Sequence, residues 1–171
     1  LDGALDTNTI QATTSGVTYD PLIEYTASKM KPIILSTGIS THEDISLAID
    51  ACLRVGNNNI ALLKCTSSYP APLEEANLSM IKDLANRYDV IAGLSDHTIG
   101  SLAPIVSICF GAKIIEKHFI IDRNIGGPDS SFSMNEQEFT EMVKSVRQAE
   151  SAIGIVDYTL SEKQLISRAH S

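Results

Sequence analysis

The chain has 171 residues, 43% of them hydrophobic and 20% charged, so it carries enough apolar material for a core and is not a disordered tail. Its formal charge is -8, from 21 acidic and 13 basic residues, and only 5% of residues are aromatic. This balance argues against a general nucleic-acid binder, which needs clustered Lys and Arg or aromatic stacking platforms, but it leaves room for a small anionic substrate in a local basic pocket.

Residues 1–19 are rich in Thr, Asp, Asn and Gly and show no strand rhythm, whereas PLIEYTA (21–27) reads as a helix. PIILST (32–37) is a short apolar run ended by Gly38, the pattern of a buried strand. Ser40 or Thr41 then caps a helix with Glu43 and Asp44 in its first turn, Ile45, Leu47, Ala48, Ile49 and Cys52 on its apolar face, and Gly56 as its stop. IALLKC (60–65) is the next strand, followed by a loop with Pro70 and Pro72 and a helix over 79–88. VIAGLS (90–95) is a third strand, 101–110 a short apolar helix, and AKIIEKHF (112–119) a fourth strand. A long polar loop, DRNIGGPDSSFSM (122–134), leads into a helix over 135–153 that Gly154 stops. Loops of this length in a compact domain are usually functional.

Strand–helix alternation of this kind means a parallel sheet covered by helices, either doubly wound or a (β/α)8 TIM barrel. Neither GxGxxG nor GxxxxGK[ST] follows any strand, which removes the usual nucleotide-binding reasons for a doubly wound sheet. Every strand ends in reactive or hydrogen-bonding groups: Ser36-Thr37, Lys64-Thr66-Ser67, Ser95-Asp96-His97 and Glu116-Lys117-His118. Polar groups at four consecutive strand ends favour a barrel, whose active site gathers there. Cys52, Cys65 and Cys109 are odd in number, lack CxxC spacing and sit in apolar segments, so they read as reduced, buried thiols of a cytoplasmic protein. No stretch approaches the roughly 18 uninterrupted apolar residues of a membrane helix, and no basic segment followed by an apolar run opens the chain.

His97 and His118 are the sharpest pair. Two imidazoles at neighbouring strand ends can bind a divalent metal and leave positions open for water and substrate oxygen, with Asp129 adding a carboxylate or holding a bound water. The plainer alternative is two histidines each hydrogen-bonded to a neighbour. Ser36, Thr66, Ser67 and Ser95 with Lys64 form a hydroxyl-rich rim suited to phosphate, although helix capping is the everyday use of such hydroxyls. Tyr69 sits in a rigid proline loop, where it can hydrogen-bond a substrate or merely pack. Lys117 invites a Schiff-base aldolase reading, but strand alternation turns it away from Glu116 and His118, toward the helix layer.

The segments ILSTGIS, ALLKCTSSYPAP, GLSDHTIG and IIEKHFIIDRNIGGPDSSFSM, in this order, resemble the strand-end motifs of the sialic acid synthase family, which condenses phosphoenolpyruvate with an amino sugar. The resemblance covers about residues 21–154, read as the C-terminal half of the barrel. Residues 1–20 are read as remnants of its N-terminal half, and 155–171 as the start of a linker to a further domain. A whole barrel takes about 250 residues, so the chain is read as part of a larger protein. The resemblance implies that His97 and His118 are metal ligands for Mn2+, with Mg2+ or Co2+ as alternatives. It implies that Ser36, Ser67 and Ser95 contact phosphoenolpyruvate, that Tyr69 and Asp129 lie near metal and sugar, and that the protein is a homodimer. GGPDSSFSM is similar to the form in pseudaminic acid synthases, where the neuraminate and legionaminate synthases read like EGPDH. One departure stands out: the strand before Pro21 should read like KIASFE, with a phosphate-binding Lys and an acidic residue, and here Gln11, Thr14 and Gly16 occupy it. A catalytically degenerate barrel that still binds sugar or phosphate is the alternative this departure suggests.

Overall fold

The computed structural model describes residues 10–12 and 20–170. Its frame is one parallel sheet of five strands whose spatial order equals their chain order: β1 (Ile10–Ala12), β2 (Ile33–Ser36), β3 (Ile60–Cys65), β4 (Ile91–Asp96) and β5 (Ile115–Lys117). A doubly wound sheet reverses direction at a switch point, whereas this one never does, which is barrel topology. The connections carry α1 (Asp20–Ala27), α2 (His42–Arg54), α3 (Ser79–Tyr88) and α4 (Leu102–Ser107), and α5 (Glu136–Ile153) follows β5. The chain is part of a (β/α)8 barrel.

Strand alternation sorts the core into two faces. Ile33, Leu35, Ile60, Leu62, Ala92 and Leu94 pack outward against Ile23, Ile45, Ile49, Ile81 and Leu84 of the helices. Ile34, Ala61 and Leu63 point the other way, into the barrel interior, with Ile114 against them. Both faces of β2 and β3 are buried, so their sequences read as unbroken apolar runs. Thr41 caps α2 in a reciprocal box with Asp44, and Asn135 does the same for α5 with Glu138.

The structure departs from the sequence reading at several places. Ile10–Ala12 is a strand, in register with Ile33–Leu35 of β2, although three residues are too few to show a period of two. Gln11 lies on it, while Thr14 and Gly16 fall outside the described residues. The fourth expected strand shrinks to β5, because residues 112–114 reach β4 through single hydrogen bonds such as Lys113 N to Ala92 O (2.9 Å). The short apolar helix is α4 followed by a 3-10 turn, Ile108–Phe110, and this turn leaves Cys109 exposed while Cys52 and Cys65 are buried. Beyond α5, Ile155, Val156 and Tyr158 are exposed and a last helix, α6 (Glu162–Ala169), buries nothing. Among the described residues no helix is long and apolar enough to cross a membrane.

Candidate functional site

The strand ends converge where β4 and β5 finish. Register pairs Ser95 with Glu116 and Asp96 with Lys117. Alternation therefore sends Ser95 and Glu116 inward, Asp96 and Lys117 outward, and the next residues, His97 and His118, inward again. Ser95 Oγ donates to Glu116 Oε1 at 2.6 Å. One layer above this bond the rings of His97 and His118 stand 5.1 Å apart, centroid to centroid. Tyr69 lies 4.2 Å from the His97 ring and 6.1 Å from that of His118, and Phe132 packs 5.0 Å from His118 and 6.1 Å from Tyr69.

Each imidazole has a defined partner. His97 is buried, and its Nδ1 lies 2.9 Å from the Thr66 carbonyl oxygen, which can only accept. Nδ1 therefore carries the proton, and Nε2 is left with its lone pair. Burial disfavours a charged His97, but the Cys65 and Thr66 contacts and the Asp96 charge outweigh it, and the pKa rises. His118 Nδ1 faces Asp129 Oδ2 at 3.6 Å, yet burial and the neighbouring His97 dominate and hold its pKa below the ordinary value. Burial, then the Cys65, Asp129 and Glu116 charges, raise the Tyr69 hydroxyl.

The remaining residues of the rim divide between the two faces. Ser36 and Ser95 are buried on the interior side. Lys64 and Thr66 belong to the helix side, where Lys64 Nζ donates to Cys65 O at 2.6 Å and to Thr66 Oγ1 at 3.0 Å, and Thr66 Oγ1 donates to Glu75 O. Ser67 is exposed on the loop that carries Tyr69. Ser36, Ser95, Tyr69, His97, His118 and Asp129 thus share one side, and Lys64 approaches it only from behind. Lys117 points into the helix layer, as alternation requires, and this position disfavours a Schiff-base role.

The loop after β5 is built rather than slack. Met134 N donates to His118 O and Ile120 N to Met134 O, both at 2.9 Å. Arg123 donates to Ser133 O at 2.8 Å and pairs with Glu138 at the start of α5, and Ser133 Oγ donates to Asp129 O at 2.7 Å. These bonds place Phe132 and Asp129 beside His118. Phe132 was invisible as a site neighbour in the sequence, because one aromatic in a polar loop has no period to betray it. Glu116, named among the polar strand-end groups but not taken as a site residue, shares the interior face of His118 by the same count in twos.

His97 and His118 are the two described side chains here whose nitrogen donors could hold a divalent cation. A His97 with one proton fixed on Nδ1 by a carbonyl, so that Nε2 faces the site, is the arrangement found behind metal-bound imidazoles, and a pKa below the ordinary value favours the neutral form of His118. Among the described residues no third His, Cys, Asp or Glu joins them closely enough to complete a protein-only ligand group. Two imidazoles would leave the other positions to water and substrate oxygens.

The chain resembles known proteins over most of its length. A family model described as the NeuB family matches residues 3–158. The chain is 47% identical over 147 residues to pseudaminic acid synthase of Helicobacter pylori, covering 86% of this chain and 43% of that protein. It is 37% identical over 157 residues to N,N'-diacetyllegionaminic acid synthase of Legionella pneumophila, covering 90% and 44%. The crystal structure of an N-acetylneuraminic acid synthetase from Leptospira borgpetersenii superposes with a TM-score of 0.87 at 27% identity, covering 95% of this chain and 57% of that one. The chain thus spans less than half the length of these curated relatives.

Proposed function

The chain belongs to the NeuB family, and from that premise we propose that it is part of a pseudaminic acid synthase. The reaction is the condensation of phosphoenolpyruvate with 2,4-diacetamido-2,4,6-trideoxy-altrose to a nine-carbon keto-sugar acid. The observation that carries this reading is the convergence of His97, His118, Tyr69 and Asp129 at the ends of adjacent parallel strands, beside a loop of the GGPDSSFSM form.

His97 and His118 would hold a divalent cation, Mn2+ by preference, which when bound supplies Lewis acidity toward the sugar aldehyde oxygen. Ser36, buried on the interior face, would orient phosphoenolpyruvate by a hydrogen bond to one of its oxygens, and Ser95 would do the same once its hydroxyl turns from Glu116 Oε1 to the substrate. Ser67 extends this anion-binding rim and Lys64 adds its charge from the helix side, whereas the Thr66 hydroxyl, expected on the rim, is committed to Lys64 and Glu75 O behind the sheet. The bond that forms joins C3 of phosphoenolpyruvate to the aldehyde carbon. Water adds to C2, the C2–O bond to phosphorus's oxygen breaks, and inorganic phosphate leaves. Asp129 and the Tyr69 hydroxyl stand beside His118 to hold water and sugar hydroxyls. The same reading takes the intact protein to be a cytoplasmic homodimer.

The test is phosphate release by the intact protein with phosphoenolpyruvate and Mn2+. Turnover with the diacetamido-trideoxy altrose supports the proposal. Turnover only with N-acetylmannosamine, or only with the legionaminate precursor, moves the assignment to the neuraminate or legionaminate type. Gln11, Thr14 and Gly16, in place of the Lys and acid that the family's motif implies, favour a second reading, a non-catalytic barrel. Calorimetry that shows phosphoenolpyruvate binding without turnover would favour it.

A further inference from the structure

Behind the two imidazoles, on the helix side of the sheet, lies a buried ion pair that the proposed chemistry does not use. Lys117 Nζ stands 2.6 Å from Asp96 Oδ2, with side-chain exposures of 1% and 2%. The same ammonium donates to the Thr98 carbonyl oxygen, and Asp96 accepts from Thr98 N and Thr98 Oγ1, each at 3.1 Å. Asp96 and Lys117 are register partners, the last residues of β4 and β5, and each immediately precedes an imidazole.

A buried ion pair adds little net stability, because desolvating both charges offsets their attraction. It does impose geometry. β5 is three residues long and meets β4 over three register pairs, so few backbone bonds fix the end of the strand. We propose that the Asp96–Lys117 pair is a positioning device, a latch on the back of the sheet that fixes how β4 and β5 end and so holds His97 and His118 face to face. Thr98 completes the latch by closing the turn that follows His97. Asp96 and Lys117 touch neither substrate nor metal; they act through the histidines.

The inference builds on the metal reading for its consequence but not for its geometry, and two readouts separate them. In the intact protein, Asp96→Asn and the double variant Asp96→Leu with Lys117→Met remove the latch; the double variant leaves no unpaired buried charge. The first readout is metal-independent: the NMR cross-peaks between the His97 and His118 ring protons. The second is Co2+ affinity and its visible absorption spectrum. The expected result is a double variant that melts near the wild-type temperature, loses the ring-to-ring cross-peaks, and binds Co2+ at least about tenfold more weakly with an altered spectrum, the size seen when a residue supporting a metal ligand is removed. Lys117→Arg, which keeps the charge, should recover part of both signals. A double variant with wild-type cross-peaks and Co2+ affinity overturns the proposal. A wild type that binds no Co2+ overturns the metal reading, and the cross-peaks alone then decide the latch.

Discussion

Gly93 and Ile114 approach so closely across the β4–β5 boundary that a Cβ on Gly93 would overlap the Ile114 carbonyl oxygen and come within 2.8 Å of Leu63 Cδ2. The colliding oxygen is backbone, and it accepts the hydrogen bond of Leu94 N at 2.9 Å, so it cannot swing aside. Gly93→Ala should therefore destabilise the protein by about 1–3 kcal/mol through overpacking, measured as a lower denaturation midpoint. It should also weaken metal binding, since the strand it displaces leads into His118.

His97→Ala and His118→Ala should each abolish measurable Mn2+ or Co2+ binding and cut phosphate release by roughly a hundredfold or more. Tyr69→Phe keeps the ring that packs on His97 and removes only the hydroxyl. It should leave metal affinity within about threefold while lowering turnover. Metal titration run beside a phosphate-release assay separates the two behaviours.

The fold was largely readable from the strands that have both faces buried. PIILS, IALLKC and VIAGLS announced themselves as apolar runs, and the acids after Thr41 announced α2. β1 was not readable, because Ile-Gln-Ala is shorter than any rhythm and earns its place only by pairing with β2. At the site, His97 and His118 were visible by residue type and Lys117 by alternation. The separation of Lys64 from Ser36 and Ser95 was equally implicit in alternation, but grouping residues by strand end concealed it. Phe132 required the folded loop, since the bond from Arg123 to Ser133 O that places it joins residues with no sequence signal in common.

Lys64 carries a signature in pH. Burial holds its pKa below the ordinary lysine value of 10.5, the charge on Cys65 opposing this only in part, so the unfolded chain binds the proton more tightly than the folded one. Its burial cost is fully present at neutral pH and disappears as pH rises from the folded pKa to 10.5. Lys64→Met should thus be more stable than wild type near pH 7, on the order of 1 kcal/mol. The gap should close in alkaline solution. Denaturant melts at pH 7 and above pH 10 check both statements, and a raised KM for phosphoenolpyruvate would show what the charge is kept for.

Asn57 is a knot between α1 and the start of β3. Its buried amide donates to Ala27 O at 3.0 Å and Lys31 O at 2.9 Å, and its Oδ1 accepts from Asn59 N at 3.0 Å. Asn57→Ala leaves two carbonyls and one N–H without these bonds and should cost about 2–4 kcal/mol. Equilibrium unfolding would register it, while metal affinity measured below the transition should stay unchanged, because no site residue touches Asn57.

The Thr66 carbonyl that fixes the proton of His97 is a main-chain group, and every amino acid placed at position 66 would supply the same oxygen. The hydroxyl of that residue can be lost to drift, together with its bonds to Lys64 and Glu75 O. The tautomer of His97 cannot be lost the same way. This part of the chemistry is written into the path of the backbone rather than into a codon, so only a change that moves the loop between β3 and α3 could erase it.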